Sequence, residues 1–100
     1  MGAMKELSIA LNEYADHLVE SYGRPDVEFK VDFIDGRNYI KVAVGTNGSR
    51  SSHSFIVVKP TKGFKYGDIL KAATWKAPAT NFARGNVLEG NFKHIRWCGI

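Results

Sequence analysis

Cysteine is nearly absent from this 100-residue chain: Cys98 stands alone, so no intramolecular disulfide forms and nothing calls for an oxidising compartment. Long hydrophobic runs are missing as well. The longest covers the four residues 55–58, far short of the roughly 20 that span a bilayer as a helix. The expectation is a cytoplasmic protein without a membrane segment. Acidic side chains are scarce in one part only. Residues 59–100 hold two of the ten acids but eight of the fourteen Lys and Arg, a net charge of +6 against −2 for residues 1–58.

The constellations that carry chemistry are lacking too. His17, His53 and His94 are scattered along the chain, and Ser51-Ser52-His53 sets a nucleophile type beside a base type. Neighbours in an extended chain, however, point to opposite faces. His94 and Cys98 on one strand face would stand about 13 Å apart, too far to share a zinc ion. Neither Gly45-x-x-Gly48 nor Gly63-x-x-x-Gly67 is followed by the Lys-Ser/Thr of a nucleotide phosphate loop. Asp32 and Asp35 have no metal-ligand partner nearby in sequence. These gaps predict no enzyme, no cofactor and no metal.

What is present suits one compact domain: 44% of residues are hydrophobic and 24% charged. Residues 1–3, ahead of Met4, read as a cloning remnant, leaving 4–100 as the domain. Leu7, Leu11, Tyr14, Leu18 and Tyr22 recur at helical spacing and predict an amphipathic helix over residues 5–22. Gly23 and Pro25 end it. Val27, Phe29, Val31 and Phe33 alternate with polar residues, as Ile40, Val42 and Val44 do after the Asp35-Gly36 turn signal. Residues 54–58 are apolar on both faces, as in a strand flanked on both sides. The first half therefore reads as a helix packed on a three-stranded antiparallel meander.

Beyond Pro60 the pattern loosens. Asp68 reads as the cap of a short helix over residues 69–75, and residues 86–89 and 92–98 read as a closing strand or hairpin turned at Gly90-Asn91. Arg84-Gly85-Asn86 reads as a turn in which Gly85 or Asn86 supplies a positive backbone angle. The fold class expected is α+β.

Two resemblances follow from these residues. The order helix, three strands, helix over residues 5–75, with Leu11-Asn12-Glu13-Tyr14 and Ala72-Ala73, resembles the double-stranded-RNA-binding domain in topology. That family's Lys-Lys-x-x-Lys cluster is replaced here by the spaced Lys59, Lys62 and Lys65. Separately, Tyr66-Gly67-Asp68-Ile69-Leu70-Lys71-Ala72-Ala73, Trp75-Lys76-Ala77-Pro78-Ala79 and Asn81-Phe82-Ala83-Arg84-Gly85-Asn86 resemble the C-terminal segment of small accessory proteins of tailed bacteriophages. That resemblance implies a protein made in an infected bacterium, which binds nucleic acid or a host protein.

Basic residues interleaved with aromatics suit an acidic partner that offers flat rings. The candidate binding residues are Lys65, Lys71, Trp75, Lys76, Phe82, Arg84, Lys93, Arg96 and Trp97. The cations would neutralise phosphates, and Trp75 and Phe82 would stack on bases. A second reading makes both rings core anchors beneath an irregular loop. A third has Trp75, Phe82 and Trp97 docking on an acidic host protein, with the cations steering the approach.

Overall fold

The computed structural model describes residues 6–23, 28–46 and 49–97. The expectations for residues 1–3, Pro25, Val27 and Cys98 lie outside that range.

Helix α1 (Leu7–Tyr22) forms where the apolar spacing placed it and buries Ala10, Leu11, Tyr14 and Leu18. Gly23 ends it in the left-handed conformation at φ 67°, donating its N–H to the Val19 carbonyl. The strands β1 (Phe29–Asp35), β2 (Tyr39–Thr46), β3 (Ser51–Val57), β4 (Asp68–Lys71) and β5 (Gly85–Asn86) make one sheet in chain order, every neighbouring pair antiparallel. The architecture is α+β, with the helix on one face of the sheet.

Alternation along the strands sorts the side chains between the two faces. Val42, Val44, Ile56 and Ile69 join the helix in the main core, which Val87, Leu88, Phe92 and Ile95 of the C-terminal segment complete. Phe55, Val57 and Leu70 point the other way and form a smaller cluster with Tyr39, Phe64, Ala72 and Ala83. β3 is therefore apolar on both faces because both are covered.

The register between β2 and β3 slips once. Val42 pairs with Ser54 and Ala43 with Ser52, so His53 is the extra residue of a bulge. A bulge re-aims a side chain. Here it lets His53 and its neighbour Ser54 meet the same group, the Tyr14 side chain, which regular alternation would forbid.

Three expectations for the second half are corrected. Residues 69–75 are not a helix: residues 68–71 form β4, pairing Ile69 with Ile56, Leu70 with Phe55 and Lys71 with Ser54. Ile69 and Leu70 both have apolar pockets to fill on opposite sides of the sheet, and this outweighs the helical propensity of Leu70, Lys71, Ala72 and Ala73. Asp68 accordingly caps no helix; it is buried and binds the Lys65 N–H and the Asn86 side chain. The closing hairpin is also shorter than expected. Asn86 and Asn91 form an isolated bridge around a turn, and the segment after it is held by side chains rather than by a strand ladder. Gly90, at φ 71°, turns the chain there as expected. Neither Gly85 nor Asn86 has a positive backbone angle; Gly85 is small because a Cβ on it would lie 2.1 Å from the Asn91 carbonyl oxygen.

Residues 66–86 thus make a single antiparallel excursion. β4 runs out to a bridge between Ala72 and Pro78, turns, and comes back along itself, with Ala79 donating to the Lys71 carbonyl and Arg84 to the Ile69 carbonyl, into β5. Thr74 closes the tip: its hydroxyl accepts the N–H groups of Lys76 and Ala77 at 3.2 and 3.0 Å.

Candidate functional site

Trp75 lies at this tip and Phe82 on the returning arm, and both are exposed, at 43% and 54%. The reading that made them core anchors is overturned, because Phe55, Val57, Leu70 and Ala83 already close the sheet face beneath. Each ring is paired with a cation. The Lys41 ammonium sits 3.8 Å from the centre of the Trp75 ring, and the Arg84 guanidinium 4.0 Å from that of Phe82. At exposed positions such pairs contribute about 0.5–1 kcal/mol, enough to orient a ring without locking it.

The expected residues divide among separate surfaces. Lys76 follows Trp75 at the tip and lines a shallow depression with Lys41, Tyr39 and Ile34. Arg84 and Lys65 line another, beside Asp68, Asn86 and Glu89. Lys65 is bonded to the Glu89 carboxylate, which raises the Lys65 pKa and neutralises its charge locally. Lys71 and Trp97 share a third depression, near the end of the helix. Lys93 and Arg96 are exposed on the C-terminal segment.

The depression that holds Lys71 and Trp97 is the largest of these three, a cleft of about 540 Å³. One wall is aromatic. Tyr22 stacks on Phe29 with ring centres 4.6 Å apart, and Trp97 meets both edge-on at 4.8 and 6.1 Å. Opposite stand His53, Ser51 and Lys71 from β3 and β4. Sequence reasoning found Lys71 and Trp97 but missed Tyr22, Phe29 and Lys41. Tyr22 and Phe29 had been assigned to the core stripe and to the buried strand face. Lys41 stands between buried Ile40 and Val42 and so faces away from the main core, and the Trp75 ring that folds onto it leaves no mark in the sequence.

His53 is spoken for. Its Nε2 lies 2.7 Å from the Arg96 carbonyl, which can only accept, so that nitrogen carries the proton and Nδ1 accepts from the Ser54 hydroxyl at 3.0 Å. Ser54 in turn accepts from the Tyr14 hydroxyl at 2.9 Å. Burial lowers the His53 pKa, against a smaller opposing effect of the Arg96 carbonyl, and burial raises that of Tyr14. Both groups are held neutral, and Ser54 is fully buried. The chain of three fastens the C-terminal segment to helix and sheet and offers no accessible nucleophile. His17 and His94 do similar work, with their Nε2 atoms 2.6 Å from the carbonyls of Ile95 and Arg84.

The sequence also matches, over residues 3–99, the profile of a family of unknown function, DUF7717. The chain belongs to that family. Neither the curated proteins nor the solved structures searched contain a match to it. Membership of DUF7717 carries no activity with it, so any function has to be argued from the residues. Among the described residues no group of three or more His, Cys, Asp and Glu side chains converges as a metal site would, and no helix is long and apolar enough to cross a membrane.

Proposed function

We propose that this DUF7717 member is a cytoplasmic, non-enzymatic protein that binds single-stranded nucleic acid through the outer part of the excursion, residues 72–84. The observation that carries the reading is the hairpin tip, where an exposed Trp75 is attended by Lys41 and Lys76. Trp75 keeps 43% of its surface uncovered at the tip, ring area that folding leaves unused. That area is a good platform for an unpaired base, worth about 1–3 kcal/mol per stacked base. Phe82 with Arg84 repeats the arrangement on the returning arm. The surplus positive charge of residues 59–100 supplies the long-range attraction. Single strands are favoured over duplex because stacking on a side chain needs an unpaired base.

The test is a salt titration of binding to fluorescent single-stranded and double-stranded oligonucleotides, with wild type, Trp75→Ala/Phe82→Ala and Lys41→Glu/Lys76→Glu variants. The expected result is preference for the single strand, affinity that falls steeply with salt, and loss of most binding in both variants. No binding at low salt would overturn the proposal. Retention of a protein partner from nuclease-treated bacterial lysate, lost in the same variants, would then assign the rings and cations to docking on an acidic host protein.

A further inference from the structure

We propose that the cleft between the end of α1 and the end of the sheet where β3 starts and β4 finishes is a binding site for a planar heteroaromatic ring carrying one anionic group, the chemistry of a nucleotide. It deepens the nucleic-acid reading without depending on the tip rings.

Three features define the ligand class. First, the cleft's volume of about 540 Å³ lies within the range of small-molecule sites, about 300–1,000 Å³. Second, its aromatic wall is incompletely covered. Tyr22, Phe29 and Trp97 are packed on one another, yet Trp97 remains 37% exposed and all three line the opening. Ring surface kept at a cleft when a core stands alongside is what a flat ligand would cover.

Third, the charge is one-sided. Lys71 is the single cation lining the cleft, and no acid lines it among the described residues. Nor does Lys71 have an ion pair or a side-chain hydrogen bond among them. His53 adds no charge, since both its nitrogens are engaged and burial keeps it neutral. Ser51 contributes a hydroxyl whose contact with the Val44 carbonyl is long, at 3.5 Å, and so is readily exchanged for a better partner. The ring lies against Trp97, and the anionic group reaches Lys71. Such a ligand has two sources, a free mononucleotide or the phosphorylated end of a strand.

The experiment is calorimetric titration of the full chain with adenosine monophosphate, adenosine and inorganic phosphate, for wild type, Lys71→Met and Trp97→Leu. Lys71→Met keeps the aliphatic stem at an exposed position, so folding is not at stake. The expected result is sub-millimolar binding of the monophosphate, weakened about tenfold by Lys71→Met, with adenosine bound more weakly and indifferent to that change. Trp97→Leu weakens both. Absence of monophosphate binding at millimolar concentration, or binding that neither variant alters, overturns the site. A 5′-phosphorylated oligonucleotide that displaces the monophosphate identifies the strand end as the source, and one that does not identifies the free nucleotide; either upholds the cleft. The two proposals also fail separately, because the titrations are repeated in a Trp75→Ala/Lys76→Glu background: monophosphate binding that persists there and is weakened by Lys71→Met belongs to the cleft, whereas binding that disappears there and ignores Lys71→Met belongs to the tip and overturns the cleft.

Discussion

Asn86 does more for this fold than any polar residue around it. Its amide nitrogen donates to the Tyr66 carbonyl and to Asp68, and its amide oxygen accepts the N–H groups of Leu88 and Glu89. One side chain that is 2% exposed therefore satisfies both ends of the excursion and the turn after it. Asn86→Ala leaves the Asp68 carboxylate with the Lys65 N–H alone and takes away the acceptor of the Leu88 and Glu89 N–H groups, and should destabilise the protein by about 2–4 kcal/mol. Chemical denaturation would read this, with an unchanged slope expected. The same residue marks a limit of the sequence: in Arg84-Gly85-Asn86 it looks like turn chemistry, and only the three-dimensional partners distinguish a buried amide from a turn amide.

His53 makes a second prediction at this scale. Burial lowers its pKa in the folded state, so below the ordinary value of about 6.5 the unfolded chain takes up a proton that the folded one refuses. Stability should thus be level above neutrality and fall as the pH drops below about 6.5, the fall ending once the folded state is also protonated. Protonation would put a hydrogen on Nδ1 and reverse the Ser54 and Tyr14 bonds. Thermal melts at pH 8, 7, 6 and 5 would measure the slope. Replacing His53 by Gln should flatten it at a lower overall stability; an unchanged slope would show that other groups produce it.

Among the elements, those with a repeating signal were legible. The helix, its glycine stop and the first two strands follow from apolar spacing, since the helix buries one face and the alternating apolar residues of β1 and β2 turn to the main core, even though Ala43 on the other face of β2 is buried as well. β4 was not legible, because four residues cannot display a period and the alanines that follow it favour a helix. Its identity comes from β3, whose buried backbone needs its N–H and C=O groups paired on the edge away from β2. The bulge at His53 was equally hidden, as one extra residue has no mark of its own in sequence.

The excursion should also separate folding from binding. Trp75 is exposed at the tip while Ile69 and Leu70 at its base are fully buried. Leu70→Ala should cost about 2–5 kcal/mol by leaving a cavity between the sheet and the loop over it. Trp75→Ala should cost less, about 1–2 kcal/mol for its pairing with Lys41 and the part of its surface that is covered, and yet lose most of the affinity for single strands. Comparing melting temperature with oligonucleotide affinity for the two variants would check the division. A large loss of stability in Trp75→Ala would mean that the ring serves packing after all.

Across the whole molecule, the +6 of residues 59–100 does not gather into one patch. Lys65 is neutralised by Glu89, Lys71 belongs to the cleft, Lys76 to the tip and Arg84 to the returning arm. Sequence could show the surplus of charge but not its division, because the chain folds back on itself between these residues. If a strand binds at the tip, it meets only some of these cations, and the salt dependence counts them. Each phosphate neutralised contributes about −0.7 to the slope of log affinity against log salt for a single strand. Contacts from Lys41, Lys76 and Arg84 would give a slope near −2, where all eight cations would give about −5 to −6. Lys76→Gln should reduce the slope by about one contact, whereas Lys65→Gln, whose charge is already bound to Glu89, should leave it where it was. Equal effects of the two substitutions would mean that binding reads the net charge of the segment and not the tip.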